Sequence, residues 1–262
     1  MKIAVAQYSV YSGDVKPNLE RIAGFARQVS GEAELLCLPE MCTSGFNWRA
    51  NRGILDARQE YRSPIGQIAK DAGVDICGSF LEQSPSGKAT NTFLYFDAEG
   101  ELIGSYNKIH LFSPFREEQY VEAGSHTSVL STRFGPIGCA VCYDLRFPEL
   151  FRKTTVAGAR IHILPAAFPK PRLNHWRVLA QARAIENQSF FIAVNQTGVE
   201  GNDPSNKKVE YFGHSMVVGP YGEILFEAGE DEEIGIIEID AGLLDKARST
   251  FNSIEDRRPE TY

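Results

Sequence analysis

At 262 residues and 43% hydrophobic, the chain can bury a sizeable core, and we read it as one domain over residues 1–262. A formal net charge of −7 leaves no basic stripe for a phosphate backbone, which argues against a nucleic-acid partner. No apolar run approaches the roughly 18 residues of a membrane span, and the first seven residues read as a strand rather than a signal peptide, so a cytoplasmic protein with no membrane partner is expected.

Taken in chain order, short runs rich in Val, Ile and Phe predict strands, and apolar residues spaced three or four apart predict helices. The series begins with a strand over 3–8, a helix over 18–29, a strand over 35–38, a helix over 65–72 and strands over 74–80 and 92–96. It continues with a strand over 137–142, a helix over 148–157, a strand over 161–164, a helix over 175–187, and strands over 190–194 and 234–239. Asp97-Ala98-Glu99-Gly100 and Gly219-Pro220-Tyr221-Gly222 carry turn chemistry that joins adjacent strands as hairpins, so the sheets are mixed. Most strands are apolar almost throughout and need cover on both faces, which predicts an α/β protein with stacked sheets and helices outside. The polar tail from Asp256 to Tyr262 is either frayed or docked on a neighbouring subunit.

Three reactive side chains stand at the ends of apolar strands, where a side chain is held rigidly yet remains open to a ligand. Glu40 follows Leu35-Leu36-Cys37-Leu38-Pro39 directly; it reads either as a general base whose pKa burial raises, or as a strand-end residue capping the next turn. Lys108, in Tyr106-Asn107-Lys108-Ile109-His110, reads either as a fixed positive charge for an oxyanion or as a solvated strand-end lysine. Its neighbour His110 is better explained as a hydrogen-bonded structural group than as a base. Cys142 lies where the strand after Gly135 gives way to a helix that Pro148 suits in its first turn. A helix N-terminus and a nearby lysine would both lower its thiol pKa, and the Tyr143 N–H is placed to donate to an oxyanion.

The five cysteines are an odd number, and four lie in or beside core-like runs, so a disulfide framework is not expected. Cys37 and Cys139 read as inert core residues. Cys139 and Cys142 form a Cys-x-x-Cys, but Ala140-Val141 continue the strand where a redox motif would open a helix. A zinc site from Cys37, Cys42, Cys139 and Cys142 can be counted, although the pairs lack the usual turn glycines.

Glu40 after its strand, Lys108 in Asn107-Lys108-Ile109-His110-Leu111, and Cys142 in Val141-Cys142-Tyr143-Asp144-Leu145-Arg146-Phe147-Pro148-Glu149 together resemble the nitrilase superfamily of carbon-nitrogen hydrolases. Leu164-Pro165-Ala166-Ala167-Phe168, His175-Trp176 leading to Arg183-Ala184-Ile185-Glu186-Asn187-Gln188, and Gly213-His214-Ser215-Met216-Val217-Val218 extend the likeness over almost the whole chain. The resemblance implies a four-layer αββα sandwich, a homodimer or higher homo-oligomer, and no cofactor or metal. It also implies a fourth site residue in the loop after the lysine, for which Glu117 is the better match and Glu118 the fallback.

Carried onto this sequence, the resemblance implies that Glu40 takes the proton of Cys142, whose sulfur attacks an amide carbonyl, with Lys108 and the Tyr143 N–H holding the oxyanion and Glu117 positioning Lys108 or the amide. The residues after Cys142 are similar to the amidase branch that includes omega-amidases and deaminated-glutathione amidases. The expected substrate is therefore an omega-amide of a dicarboxylic acid such as 2-oxoglutaramate, with Tyr143, Arg146 and Phe168 as substrate-binding candidates. Its distal carboxylate needs a cation, and Arg116, Arg146, Lys170 and Arg172 are the candidates in sequence, each equally readable as a surface or structural charge. Deaminated glutathione, N-carbamoyl compounds and nitriles are the competing substrates, and a non-catalytic binding scaffold is the competing class.

Overall fold

Two six-stranded sheets share one plan, with three parallel strands at the centre and antiparallel strands on both sides. The computed structural model describes residues 1–56, 62–202 and 207–261, so that Tyr262 of the tail lies outside the described residues. The first half of the chain runs β1 (Lys2–Gln7), α1 (Val15–Val29), β2 (Leu35–Cys37), α2 (Trp48–Asp56), α3 (Arg62–Ala72), β3 (Asp75–Gln83), β4 (Ala89–Phe96) and β5 (Leu102–Asn107). The second runs β6 (Val129–Thr132), β7 (Gly135–Cys139), α4 (Pro148–Val156), β8 (Ile161–Ala166), α5 (Leu173–Asn187), β9 (Phe190–Asn195), β10 (Thr197–Asn202), β11 (Lys207–Phe212), β12 (Met216–Val218), β13 (Ile224–Glu227), β14 (Glu233–Glu238) and α6 (Ala241–Thr250).

The sheet orders are β14-β1-β2-β3-β4-β5 and β13-β12-β9-β8-β7-β6, with β10 and β11 paired apart as a separate hairpin. The period of two along a strand divides the core. Ile3, Val5, Leu35 and Cys37 join one apolar cluster with Ile137, Cys139 and Ile163 of the second sheet. The alternate residues Ala4, Ala6, Leu36 and Leu38 join a second cluster with Ile22 and Ala26 of α1 and with Ile65 and Ala69 of α3. Phe151 of α4 and Trp176, Ala180 and Ala184 of α5 belong to the first cluster, on the helical side of the second sheet. The αββα arrangement expected from the sequence is thus the observed one.

Where boundaries shift, local chemistry explains it. The first helix begins at Val15 rather than 18, because Pro17 in a first turn removes no helical hydrogen bond. The strand expected to reach residue 142 ends at Cys139, and residues 142–146 form a 3-10 turn before α4 opens on Pro148. The hairpin of β10 and β11 was not expected, since its mixed residues, such as Lys207-Lys208-Val209-Glu210-Tyr211-Phe212, give no apolar run.

Candidate active site

At one end of the sandwich, loops from both sheets carry four polar side chains into a buried cluster. Glu40 leaves β2 just after Pro39, and the next residue, Met41, has a left-handed φ of 48° that turns the chain back. The Glu40 carboxylate accepts the Lys108 Nζ at 2.9 Å and the Asn91 Nδ2 at 2.8 Å on Oε1, and the Ala167 N–H at 2.9 Å on Oε2. Its backbone carbonyl accepts the Gln196 side chain at 2.8 Å.

Lys108 follows β5 and is pinned by its own backbone, which donates to the Asn91 carbonyl at 2.9 Å and accepts from the Gly124 N–H at 2.8 Å. The solvated reading fails: the side chain is 2% exposed and its ammonium lies between two carboxylates. Glu117 supplies the second, with Oε2 at 2.8 Å and Oε1 at 3.1 Å from Nζ, and it also accepts the Phe112 N–H at 2.7 Å. Glu118, the fallback, is exposed and does not join the cluster.

Cys142 starts the 3-10 turn with a left-handed φ of 46°, a backbone state that costs a non-glycine residue about 1 kcal/mol or more and is characteristic of constrained sites. Its thiol lies near enough to the Glu40 carboxylate for that charge to raise its pKa. Asp144, two residues on, is fully buried and accepts four donors: the Tyr106 hydroxyl at 2.8 Å, the Val141 N–H at 2.8 Å, the His110 N–H at 3.1 Å and His110 Nδ1 at 2.7 Å. His110 is therefore a structural group, its ring stacked 3.6 Å from Phe147.

Burial and charge work against each other here. Burial raises the Glu40 carboxyl, with Glu117 adding to it and Lys108 opposing it. Burial alone would lower Lys108, but Glu117 and Glu40 hold it well above its ordinary value. The expectation of a lowered Cys142 pKa is overturned: burial and the Glu40 carboxylate push the thiol well up, and the pull of Lys108 is outweighed. The helix contributes little because α4 begins six residues downstream, beyond the turn over which a helix end acts. Burial and the neighbouring acid thus favour the thiol over the thiolate, and the raised Glu40 carboxyl is matched to exchange a proton with it.

Around this cluster, the Tyr143 ring meets Phe112 at 5.0 Å and Phe147 at 5.3 Å. The Arg146 guanidinium lies 5.3 Å over the Phe168 ring, with Nη2 3.3 Å from His175 Nδ1. Phe168 is itself buried against Trp176 and Phe212, its N–H donating to Asn195 at 2.6 Å. Arg172 lies 5.9 Å over the Phe112 ring, Arg116 is exposed, and Lys170 is engaged outside by Glu210 and Glu230 at 3.0 and 3.1 Å.

The cysteines do not assemble as a zinc set. The Cys37 and Cys77 sulfurs are 3.6 Å apart in the inter-sheet cluster that also holds Cys139, whereas Cys42 belongs to the helix-facing cluster. All five cysteines are free, and among the described residues no three His, Cys, Asp or Glu side chains converge as a metal site. Asn91, Ala167, Asp144 and Gln196 escaped sequence reasoning. Asn91 alone left a signal, as an amide within the otherwise unbroken buried strand Ala89–Phe96.

Residues 2–249 match the family described as carbon-nitrogen hydrolase. The chain is 34% identical over 261 residues, 99% of its own length and 98% of the relative's, to a 2-oxoglutaramate amidase of Bacillus subtilis. A carbon-nitrogen hydrolase of Helicobacter pylori superposes with a TM-score of 0.93 at 27% identity, covering 100% of this chain and 97% of the other. An amidase of Nesterenkonia sp. AN1, whose active-site cysteine is modified by Michael addition of acrylamide, superposes at 0.87 with 28% identity over 100% and 98% of the two chains.

Proposed function

The chain belongs to the carbon-nitrogen hydrolase family and hydrolyses a small carboxamide through a cysteine nucleophile, and from that premise we propose that the nucleophile is Cys142 and the substrate an omega-amide of a dicarboxylic acid, such as 2-oxoglutaramate. The observation that carries the assignment is the single buried cluster in which the Lys108 ammonium bridges Glu40 and Glu117, with the Cys142 thiol buried within reach of the Glu40 charge. Two independent relatives named for 2-oxoglutaramate, each 34% identical, support the substrate.

In this reading Glu40 takes the thiol proton as Cys142 Sγ forms a bond to the amide carbon, giving a tetrahedral intermediate. Lys108 and the Tyr143 N–H stabilise its oxyanion, in a site dry enough for such charges to act strongly. Glu40 then gives its proton to the departing ammonia, the C–N bond breaks and a thioester remains. Water, deprotonated by Glu40, attacks the thioester; the C–S bond breaks to release the carboxylic acid and restore the thiol. Glu117 keeps the ammonium aimed by holding it with both carboxylate oxygens. No step requires a cofactor or metal.

For the distal carboxylate, Arg146 and Arg172 are the strongest of the four cations, each poised over a ring that adjoins the cluster. Lys170 is the weakest because its charge is already balanced twice. Tyr143 and Phe168 complete the substrate-binding set as the rings behind Phe112 and Arg146. Residues 1–262 act as one domain in this reading. A homodimer belongs to this reading through the family resemblance, and Val156 of α4 with Val178 and Ile185 of α5 are exposed apolar groups that such an interface could cover. Among the described residues no helix is long and apolar enough to cross a membrane; a cytoplasmic location is part of this reading.

The test is ammonia release from 2-oxoglutaramate, succinamate, deaminated glutathione, an N-carbamoyl amine and a simple nitrile, with Cys142→Ala in parallel. Preference for an omega-amide, abolished in the variant, is the expected result. Equal or better turnover of the carbamoyl compound or the nitrile would replace the substrate assignment, and activity retained in Cys142→Ala would overturn the nucleophile.

A further inference from the structure

A fourth buried carboxylate adjoins the cluster and has no part in the reaction just described. Glu200, on β10, is 4% exposed. It accepts three hydrogen bonds from three separate segments: the Ser12 hydroxyl in the loop after β1, the Phe46 N–H at 2.5 Å in the turn that follows Glu40, and the Tyr211 hydroxyl at 3.4 Å on β11. No lysine, arginine or histidine pairs with it among the described residues. A buried carboxylate with only neutral donors is costly, and a site that retains one has a use for its position or its charge.

The surroundings indicate which. Phe46 packs with Ala167, Val209 and Tyr211 in a small apolar cluster of its own. Ala167 is the residue whose N–H fixes Glu40 Oε2. Tyr211 bridges to Pro169 as an isolated β-pair, and the Lys170 N–H donates to the Glu210 carbonyl at 2.9 Å, so the hairpin also holds the loop after β8. Just before β10, Gln196 grips the Glu40 carbonyl. The turn carrying Glu40 and the loop carrying Ala167 are therefore both fastened to one hairpin, and Glu200 is its polar fastening to the Glu40 turn. The fit is close: Gly45 sits with φ 60° against Glu200 Oε1, where a Cβ would collide with the carboxylate.

We propose that Glu200 is a positioning residue for Glu40, tying the 41–47 turn to the β10–β11 hairpin through its carboxylate while adding a negative charge beside the site. The inference rests on the reading of Glu40 as the base. The titratable and charged groups around it are Tyr211 on β11, Glu40 and Cys142, with Lys108 and Glu117 behind Glu40; Lys170 and Glu210 are exposed and pair with each other. Burial does most to raise the Glu200 carboxyl and the Glu40 charge adds to it; by the symmetry of charge repulsion, an ionised Glu200 would make the Glu40 proton harder to remove. Removing the charge at 200 while keeping the shape moves the deprotonation of Glu40, and with it the activation of Cys142, to lower pH.

The experiment is alkylation of Cys142 by iodoacetamide, followed by mass spectrometry from about pH 5 to about pH 9, together with the pH profile of amide hydrolysis. Cys142 is 8% exposed whereas the other four cysteines are at 0%, so the reagent discriminates. Glu200→Gln is expected to shift the acidic limb of both profiles downward with KM within about twofold, and Glu200→Ala, which loses the fastening, to lower kcat by about tenfold or more. A wild-type acidic limb in Glu200→Gln overturns the inference, even if Glu200→Ala fails to fold. Glu40→Gln separates the two readings: an unchanged alkylation profile in that variant overturns Glu40 as the base. An altered profile there beside an unaltered one in Glu200→Gln overturns only the role of Glu200.

Discussion

The Asp144 carboxylate accepts the Tyr106 hydroxyl at 2.8 Å, and that single bond ties the end of the strand that leads into Lys108 to the turn that begins with Cys142. The two segments belong to different sheets, so their relative placement depends on side chains rather than on a shared ladder. Asp144 reinforces the tie by also accepting both His110 donors, and it braces its own turn by accepting the Val141 N–H. We predict that Asp144→Asn, which replaces an acceptor by an amide facing donors, lowers kcat by about tenfold or more and stability by about 1–3 kcal/mol. Steady-state kinetics with urea denaturation would check it; a variant within twofold of the parent would show that the tie is dispensable.

Lys108 is buried between Glu40 and Glu117, and its charge offsets theirs. Replacing it by methionine leaves two carboxylates close together with no cation. The expected outcome is loss of measurable hydrolysis together with roughly 3–5 kcal/mol of stability, the cost typical of breaking a buried pair from one side. Folding close to parental stability would mean that water enters the cluster and screens the acids.

His162 lies fully buried between the Thr154 and Ser189 hydroxyls, each 3.0 Å away, and burial lowers its pKa from 6.5 to about 3. Between those values the unfolded chain binds a proton that the native state refuses, so stability rises with pH across the window and is lost as pH falls below about 6.5. From pH 7 to pH 5 this residue alone accounts for a decline of about 2 kcal/mol. Urea unfolding at both values should show a correspondingly smaller decline in His162→Gln; an equal decline would assign the acid sensitivity elsewhere.

Arg146 and Arg172 are the proposed partners of the substrate's distal carboxylate. Changing the one that binds it to alanine should raise KM for 2-oxoglutaramate by about tenfold or more, a loss consistent with one charge-assisted hydrogen bond, and should do so much less for a neutral amide of similar length. Unchanged KM in Arg116→Ala, Arg146→Ala, Lys170→Ala and Arg172→Ala would remove the carboxylate clamp from the reading.

Much was legible in the sequence because local patterns carried it. Period-two burial and continuous apolar runs gave the core strands, and Pro39, Pro148 and the two Gly-containing turns marked where elements stop or start. The three reactive residues stood out because each follows an apolar strand closely. The hairpin of β10 and β11 did not stand out, since residues that pack against loops need no regular alternation.

What the sequence by itself determined, then, is the sandwich and the identity of the residues that enter its loops. The tertiary structure decided how those residues act on one another. Placing Glu40 against Cys142 brought their charges into competition, and burial raised a thiol that the nearby lysine and helix were expected to lower. Asn91, Ala167 and Glu200 join the site from 51, 127 and 160 positions away from Glu40, distances over which no local pattern reports contact. Hydrogen bonding and desolvation depend on neighbours in space, and those neighbours exist only once the two sheets have stacked.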